Sequence, residues 1–378
     1  MKTVYFAIWR YIKQTDVLLI FITLIAAVSG FILDYSAAHG SSRTILVQIC
    51  GLVVGLVIMV VISKIDYHDI AELWKYIAAA CILLFILTLI LGKSRAGSQD
   101  RSWIWIGSFT IQPAEFIKVA FVITFAKHYD IVKENIDSPR NIFLLFLHGV
   151  IPVCLLILQK DMGMMLVFLL MLVFMMYVAN IKLRYFALAG TTALVSAPLL
   201  WSKVLGATQR DRILSLFNPI KYATDAYQQT QGTKAIGAGE LLGYGLFHGP
   251  ITQGPASFLP EKQNDMIFAV AGEELGFLGC IIILAIFVVL FFKLIQDSKK
   301  SKDSMGSMIC FGVFASFAIQ MSINIAAVLM VFPITGISLP FYSSGGSSIV
   351  ACFMAIGVVL SVYMHRSNSL FSSPKQNK

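Results

Sequence analysis

Asp265 stands at the junction between a long polar segment and an apolar stretch that begins Met266-Ile-Phe-Ala. A carboxylate at such a junction is partly removed from water and faces the boundary between water and lipid, where it could act as a base on a lipid-linked substrate. A structural interpretation is also open, because Asp is favoured near a helix N-terminus by the free N–H groups and the helix dipole. Sequence position alone does not separate the two.

Two further groups of charged residues lie at the edges of apolar runs. Glu115 and Lys118 are three residues apart, so they share one face of a helix. Charged side chains within a membrane span are costly, functional by default and usually paired. The alternative is a purely structural ion pair. Asp161 opens another apolar run and is expected on the same side of the membrane as Asp265.

Arg210 and Arg212 lie in the long polar segment, one residue apart. Two arginines at this spacing could present forked donors to the oxygens of a diphosphate. They could equally form salt bridges in an exposed loop, with Asp211 or Glu240 as partners.

Small residues precede the last apolar run in Ser343-Ser-Gly-Gly-Ser347. Free backbone N–H groups at a helix start bind anions, and glycine allows a phosphate to approach closely. Ser343, Gly345, Gly346 and Ser347 are therefore candidate phosphate-binding residues. The alternative is that serine simply caps this helix. Asn324, in the preceding apolar run, is a further candidate for a supporting role.

The composition indicates a polytopic membrane protein. Of the 378 residues, 58% are hydrophobic and 13% are charged, whereas soluble domains carry about 25% charged residues. The net charge of +9 does not indicate a nucleic-acid partner, because the charges lie in short loops between apolar runs. The six cysteines fall inside apolar runs without metal-ligand spacing.

The hydropathy pattern predicts an all-α protein with about ten transmembrane helices. The predicted spans lie near 17–34, 45–63, 75–92, 112–128, 142–158, 163–179, 184–204, 266–293, 307–330 and 344–364. Lys and Arg are more frequent in the loops on the same side of the membrane as the N-terminus, which predicts that this side is cytoplasmic. Because the number of spans is even, both termini are expected there. One single domain, 1–378, is expected. It has an interfacial N-terminal segment at 1–16, a large extracellular loop at 205–265 between spans seven and eight, and a cytoplasmic tail at 366–378.

Several segments together resemble the SEDS family (shape, elongation, division and sporulation), whose best-known members are RodA and FtsW. The resemblance extends from the first span to the tenth. The segments that carry it are Gln112-Pro-Ala-Glu-Phe-Ile-Lys118, Asp161-Met-Gly163, Arg212-Ile-Leu-Ser-Leu-Phe-Asn-Pro219, Ala235-Ile-Gly-Ala-Gly239, Leu259-Pro-Glu-Lys-Gln-Asn-Asp265, Phe268-Ala-Val-Ala-Gly-Glu-Glu-Leu-Gly276, Pro333-Ile-Thr-Gly336, Leu339-Pro-Phe341 and Gly345-Gly-Ser-Ser348.

The resemblance implies a peptidoglycan glycosyltransferase that polymerises lipid II, the undecaprenyl-diphosphate-linked disaccharide peptide, outside the cytoplasmic membrane of a bacterium. It also implies a class B penicillin-binding transpeptidase as partner. The family's essential Asp matches Asp265, its paired Glu and Lys match Glu115 and Lys118, and its Asp after a Gln-Pro dipeptide matches Asp161.

This chain departs from the usual family pattern at three places. It has Gln159-Lys-Asp161 for Gln-Pro-Asp, Gln263-Asn-Asp265 for His-Thr-Asp, and Ser343-Ser-Gly-Gly346 for Ser-Tyr-Gly-Gly. The departures leave open whether the chain serves elongation, division or sporulation.

A glycosyltransferase reaction on lipid II would use these residues in distinct roles. The leaving lipid diphosphate needs positive charge, which Arg210, Arg212, Lys118 or a divalent cation such as Mg²⁺ or Mn²⁺ could supply. The acceptor hydroxyl needs a base, and Asp265 is the candidate, with Asp161, Glu261 and Glu115 next. No cofactor is otherwise expected. One base with direct displacement implies inversion at the sugar carbon.

Two other functions are considered. A lipid flippase would also combine ten spans with intramembrane charges, but its charges belong near the midplane, whereas here they cluster around the long outer loop. A scaffold that only recruits a transpeptidase leaves Asp265, Glu115 and Lys118 unexplained. Elongation of a lipid-linked disaccharide by the protein in detergent distinguishes these functions, because flipping requires a sealed bilayer.

Overall fold

The computed structural model describes residue 9 and residues 11–94, 100–106, 109–255 and 258–366. Most of the predicted segments 1–16 and 366–378 therefore lie outside the described residues, although residues 11–14 are helical. The described helices, in chain order, are α1 (Val17–Ala37), α2 (Ser42–Lys64), α3 (Tyr67–Glu72), α4 (Trp74–Leu91), α5 (Pro113–Val132), α6 (Pro139–Leu158), α7 (Met162–Val178), α8 (Leu183–Leu199), α9 (Ala207–Phe217), α10 (Ala223–Ala238), α11 (Ile267–Lys299), α12 (Ser304–Val328) and α13 (Gly346–Met364).

A polytopic helical fold is confirmed, and each of the ten predicted spans coincides with a helix. Eight of the described helices are long and apolar enough to cross a bilayer. The other two predicted spans coincide with α5, which is interrupted by charged side chains, and with α7, which has 17 residues. A count of ten spans stays a prediction. One short antiparallel hairpin, β1 (Ile104–Ile106) with β2 (Phe109–Ile111), is absent from the all-α prediction.

The most deeply buried helix is α13, which packs along α2. Two glycines of α2 make this contact possible. A Cβ at Gly55 would lie 2.6 Å from the ring of Phe353, and a Cβ at Gly51 would lie 3.0 Å from Cα of Gly346. Small residues four apart let two membrane helices approach closely, and Gly51 and Gly55 have this packing role here.

Helix α11 is broken at Gly276, which corrects the prediction of one continuous span at 266–293. Gly276 has φ 66° and ψ −166°, a region of backbone space that is essentially restricted to glycine. Residues 267–275 form a short helix of their own, and residues 277–299 form the longer helix that follows it. Twenty-three residues at 1.5 Å per residue, about 35 Å, are enough to cross a bilayer without the first part.

The chain at 240–245 completes the hydrogen bonds that the break leaves open. The N–H groups of Tyr244 and Gly245 donate to the carbonyls of Glu273 and Glu274 at 3.0 and 2.8 Å. In the other direction, the N–H of Phe277 donates to the carbonyl of Glu240 at 2.9 Å. Buried backbone groups need such partners, so this segment holds the short helix in place.

The segment 205–265, expected to be a loop, contains two helices, α9 and α10. The buried residues of α10 are Ala226, Gln229, Gly232 and Ala235, which recur every three positions. This is the spacing of one helix face, and the small side chains allow α10 to pack closely on α11. Just beyond it, a Cβ at Gly239 would lie 1.9 Å from the carbonyl oxygen of Gly272.

Candidate active site

A cavity of about 500 Å³ brings together residues from five distant parts of the chain. Its walls come from the stretch that holds Asp100, Trp103 and Gln112, from the start of α7, from α9 and α10, from the segment before α11, and from the segment after α12. The charged residues that line it are Asp100, Lys160, Asp161, Arg212, Glu261 and Asp265. Such a mixed charged cavity is suited to a large polar ligand, and it contains four of the residues singled out from the sequence.

Asp265 lies two residues before the short helix 267–275. Its side-chain Oδ1 accepts a hydrogen bond from Nε2 of Gln228 on α10 at 3.1 Å, and its backbone carbonyl accepts one from Nδ2 of Asn324 on α12 at 2.8 Å. Nδ2 of Asn324 also donates to the carbonyl of Ile337 at 2.8 Å. Asn324 therefore ties both the Asp265 segment and the segment after α12 to one helix.

The surroundings of Asp265 raise the pKa of its carboxyl to about 7. Burial is the largest cause, and the negative charge of Glu261 adds to it, whereas the positive charge of Arg212 and the hydrogen bond from Gln228 oppose it. A base works best when its pKa lies near the ambient pH. Asp265 is therefore half-buried, lines the cavity and has a pKa suited to a base near neutral pH.

Glu261 is exposed and has a backbone φ of 54°, which is uncommon for a residue other than glycine. Its carboxylate accepts a hydrogen bond from Nδ2 of Asn264. The hydroxyl of Ser343 donates to the carbonyl of Asn264, and the N–H of Ser344 donates to the carbonyl of Gln263 at 2.7 Å. The serine segment before α13 thus holds the chain that leads to Asp265.

Asp161 caps α7, since its Oδ1 accepts a hydrogen bond from the N–H of Met164 at 2.9 Å. Its Oδ2 accepts a second one from Nε2 of Gln112 at 3.1 Å. The pKa of its carboxyl is raised to about 6, chiefly by burial, with a further contribution from the charge of Asp100. Because Asp161 both caps α7 and lines the cavity, its carboxyl is held in a fixed position from which it can interact with a charged group of a substrate.

Glu115 and Lys118 form a buried ion pair on α5, with 2.7 Å between Oε2 and Nζ. Nζ of Lys118 also donates to Oε1 of Gln320 at 2.6 Å, and the hydroxyl of Ser338 donates to Oε1 of Glu115 at 3.3 Å. Neither charged residue lines the cavity. The pair instead supports the segment 332–340, of which 332–336 forms part of the cavity wall.

Helix formation separates the two arginines. Residues two apart on a helix point about 200° away from each other, and only Arg212 lines the cavity. Nη1 of Arg212 donates to the carbonyl of Ile334 at 3.5 Å. Nε of Arg210 is buried without a hydrogen-bond partner. Within the described ranges, neither arginine forms an ion pair with Asp211 or Glu240.

The candidate phosphate-binding residues around the start of α13 lie outside the cavity wall. The hydroxyl of Ser343 accepts from the N–H of Leu339 at 2.7 Å and donates to Asn264, so it is already occupied. The hydroxyl of Ser347 accepts from the N–H of Gln112 at 3.4 Å. Gly346 faces Val47 on α2, and Gly345 precedes the first turn of α13. These contacts join the start of α13 to neighbouring parts of the chain.

Four polar residues near the site were not identified from the sequence. They are Gln112, Gln228, Gln320 and Ser338. Neutral residues give no hydropathy or charge signal, and their partners are distant in the chain. Glu273 and Glu274 were likewise given no role. Both are fully buried and accept hydrogen bonds from the segment 247–253. Two charged residues near the start of an apolar run could have indicated such a buried polar contact.

No group of three or more His, Cys, Asp or Glu side chains in the described part of the chain is arranged to hold a metal ion. Two carboxylates in the cavity, Asp100 and Asp161, nevertheless lie close enough for the charge of one to raise the pKa of the other. Oxygen ligands of this kind suit Mg²⁺ and Mn²⁺, and Mg²⁺ is commonly held by one or two carboxylates together with substrate phosphates.

Comparisons with known proteins match this chain along nearly its whole length. "Stage V sporulation protein E" of Bacillus subtilis is 36% identical, over 92% of this chain and 96% of the relative. "Peptidoglycan glycosyltransferase MrdB" of Escherichia coli is 30% identical, over 83% of this chain and 84% of the relative.

A solved structure has the same fold. One chain of a peptidoglycan synthase complex, described as coordinating polymerization and crosslinking, superposes with a TM-score of 0.80 at 25% identity, over 94% of this chain and 99% of its own. The sequence model of the family described as "Cell cycle protein" matches residues 10–368. The resemblance drawn from the motifs is thus confirmed over the whole helical bundle, and this chain belongs to the FtsW, RodA and SpoVE family of cell cycle proteins.

Proposed function

We propose that this protein is a peptidoglycan glycosyltransferase that polymerises lipid II on the outer face of the cytoplasmic membrane. The observation that carries the proposal is the position of Asp265. Its carboxyl has a pKa of about 7 and lines a cavity of about 500 Å³ that Arg212 also lines. A relative named peptidoglycan glycosyltransferase, 30% identical over 83% of this chain, supports the same activity.

In the proposed reaction, Asp265 removes the proton from the acceptor sugar hydroxyl. The hydroxyl oxygen then attacks the anomeric carbon of the donor from the face opposite the diphosphate. The new glycosidic C–O bond forms as the bond to the diphosphate oxygen breaks, and the lipid diphosphate leaves as an anion. One displacement inverts the anomeric carbon, so an α-linked donor yields a β-linked glycan strand.

Arg212 would stabilise the leaving diphosphate, because it lines the cavity and its hydrogen bond to the backbone carbonyl of Ile334 is weak. Asp100 and Asp161 would hold a divalent cation, Mg²⁺ or Mn²⁺, together with diphosphate oxygens. When bound, that cation supplies further positive charge to the leaving group.

A class B penicillin-binding transpeptidase is the proposed partner, since the described chain is a helical membrane bundle and glycan strands also need peptide crosslinks. The relative with the same fold belongs to a complex described as coordinating polymerization and crosslinking, which supports this. The excess of Lys and Arg in one set of loops supports cytoplasmic termini. The cavity would then open to the outer face.

Polymerisation of purified lipid II in detergent tests the proposal. The wild-type protein is expected to form glycan strands, and Asp265→Asn is expected to reduce the rate by at least about 10²–10⁴-fold, the usual contribution of general base catalysis. Asn keeps the size and polarity of the side chain, so the amount of folded protein should be unchanged. A flippase or scaffold would form no strands in detergent, and a near-normal rate for Asp265→Asn would place the base elsewhere.

A further inference from the structure

Gln228 connects α10 to the carboxylate of Asp265. Its Nε2 lies 3.1 Å from Oδ1, and it lines the same cavity. An ionised carboxylate only accepts hydrogen bonds, so an amide N–H can satisfy one of its two oxygens and fix the plane of the group. This contact joins residues 37 positions apart in the chain, so Gln228 lies outside the sequence motif around Asp265.

The position of Gln228 is itself fixed by its neighbours on α10. Nε2 of Gln229 is buried and donates to the carbonyls of Ala327 and Phe332 at 2.6 and 2.8 Å, which clamps α10 to the end of α12. One turn further on, a Cβ at Gly232 would lie only 3.2 Å from Sδ of Met266, the residue after Asp265. The two contacts place Gln228 beside Asp265 on a rigid helix.

We propose that Gln228 is a positioning residue for the base: it holds Oδ1 of Asp265, favours the ionised carboxylate and leaves Oδ2 to receive the proton of the acceptor hydroxyl. The O–H bond of the acceptor breaks and an O–H bond to Oδ2 forms, while the hydrogen bond from Gln228 to Oδ1 is kept. This inference rests on the proposed glycosyl transfer by Asp265.

The charged groups around Asp265 determine how the inference can be tested. Glu261, on the same segment, opposes ionisation, and Arg212, on α9, favours it. Further charged groups in the cavity wall are Asp100, Lys160 and Asp161. Because Gln228 is uncharged, replacing it with another neutral side chain removes a hydrogen bond without changing the net charge of this group.

The test is the pH dependence of lipid II polymerisation by Gln228→Met, which keeps the length of the side chain but removes the donor. A hydrogen bond to a charged group corresponds to a shift of about one to two pH units. The rising limb of the pH–rate profile, where Asp265 ionises, should therefore move to higher pH by that amount. The rate of the variant should be about 10- to 100-fold below that of the wild type at pH values below the limb and near that of the wild type above it. Gln228→Lys keeps an N–H donor and adds positive charge, so its limb should move to lower pH.

Two neighbours on α10 provide controls. Gln231→Met changes a residue outside the cavity and should leave the profile unchanged. Gln229→Met removes the clamp but keeps the amide of Gln228, so it should mainly lower the amount of folded protein and shift the limb less than Gln228→Met does. A uniform loss at every pH in Gln228→Met, or limbs of the Met and Lys variants that coincide with that of the wild type, would overturn the inference. Absence of polymerisation by the wild type would instead overturn the proposed function.

Discussion

Replacing Lys118 with Met removes the positive charge from a buried ion pair and leaves Glu115 as an uncompensated carboxylate. Nζ of Lys118 lies 2.7 Å from Oε2 of Glu115 and 2.6 Å from Oε1 of Gln320. The two charged side chains are 3% and 2% exposed. Breaking such a buried pair from one side costs about 3–5 kcal/mol in the free energy of unfolding.

The double variant Glu115→Gln/Lys118→Met should be less damaging than the sum of the two single changes. It leaves no buried charge, and the new amide can hydrogen-bond to Gln320. Replacing a buried pair with neutral groups is often close to neutral in stability. We therefore expect a coupling energy of at least about 2 kcal/mol, near the upper part of the range for residues in one network.

A second pair close to the end of the same helix provides a matched control. Asp130 and Lys133 have the same spacing and a similar separation of 2.8 Å, but their side chains are 27% and 36% exposed. Exposed pairs contribute about 0–1 kcal/mol, so the corresponding cycle should give a much smaller coupling. Denaturant titrations in mixed micelles give the free energy of unfolding of each variant, and from these values both coupling energies follow. Equal couplings, or additive losses at Glu115 and Lys118, would refute the argument from burial.

Two further outcomes concern catalysis. Because Asp265 must be ionised to act as a base and its pKa is about 7, the polymerisation rate should rise roughly tenfold between pH 6 and 8; an unperturbed Asp would give a flat profile, and Glu261→Gln should shift the limb to lower pH. Arg212→Gln should raise the apparent KM for lipid II, whereas Arg210→Gln, outside the cavity, should not. Equal effects of the two arginines would contradict their separation by helix α9.

The sequence allows the membrane helices to be predicted, but it does not reveal the break at Gly276. Apart from Glu273 and Glu274, the residues on both sides of it are mostly apolar, so hydropathy favours one span. A glycine in a helix usually costs about 1 kcal/mol without ending the helix. The break depends on residues 240–245, which complete the hydrogen bonds of the interrupted helix. A contact between segments about 30 positions apart cannot be seen in a local pattern.

The site was predictable to different extents. Asp161 and Asp265 were found because charge beside an apolar run is a strong signal, and Arg212 because of its spacing to Arg210. The structure brings these three residues and Glu261 into one cavity. Gln228 was missed because it is neutral and lies in a segment treated as loop. The spacing of Ala226, Gln229, Gly232 and Ala235 was visible in the sequence, and it would have indicated a helix with a narrow small-residue face.

The break at Gly276 explains how a base can line a cavity with several charged residues although an apolar helix follows it directly. In a continuous helix, the nine residues 267–275 would carry Asp265 about 13 Å further along the axis of the membrane-crossing part. Gly276 frees the short helix from that axis, since its φ of 66° changes the direction of the chain. The close approach of Gly239 to Gly272, at 1.9 Å for an added Cβ, then holds the short helix against the end of α10. Backbone geometry at three glycines, Gly239, Gly272 and Gly276, thus helps to fix the position of the carboxylate, while the side chains that face it adjust its basicity.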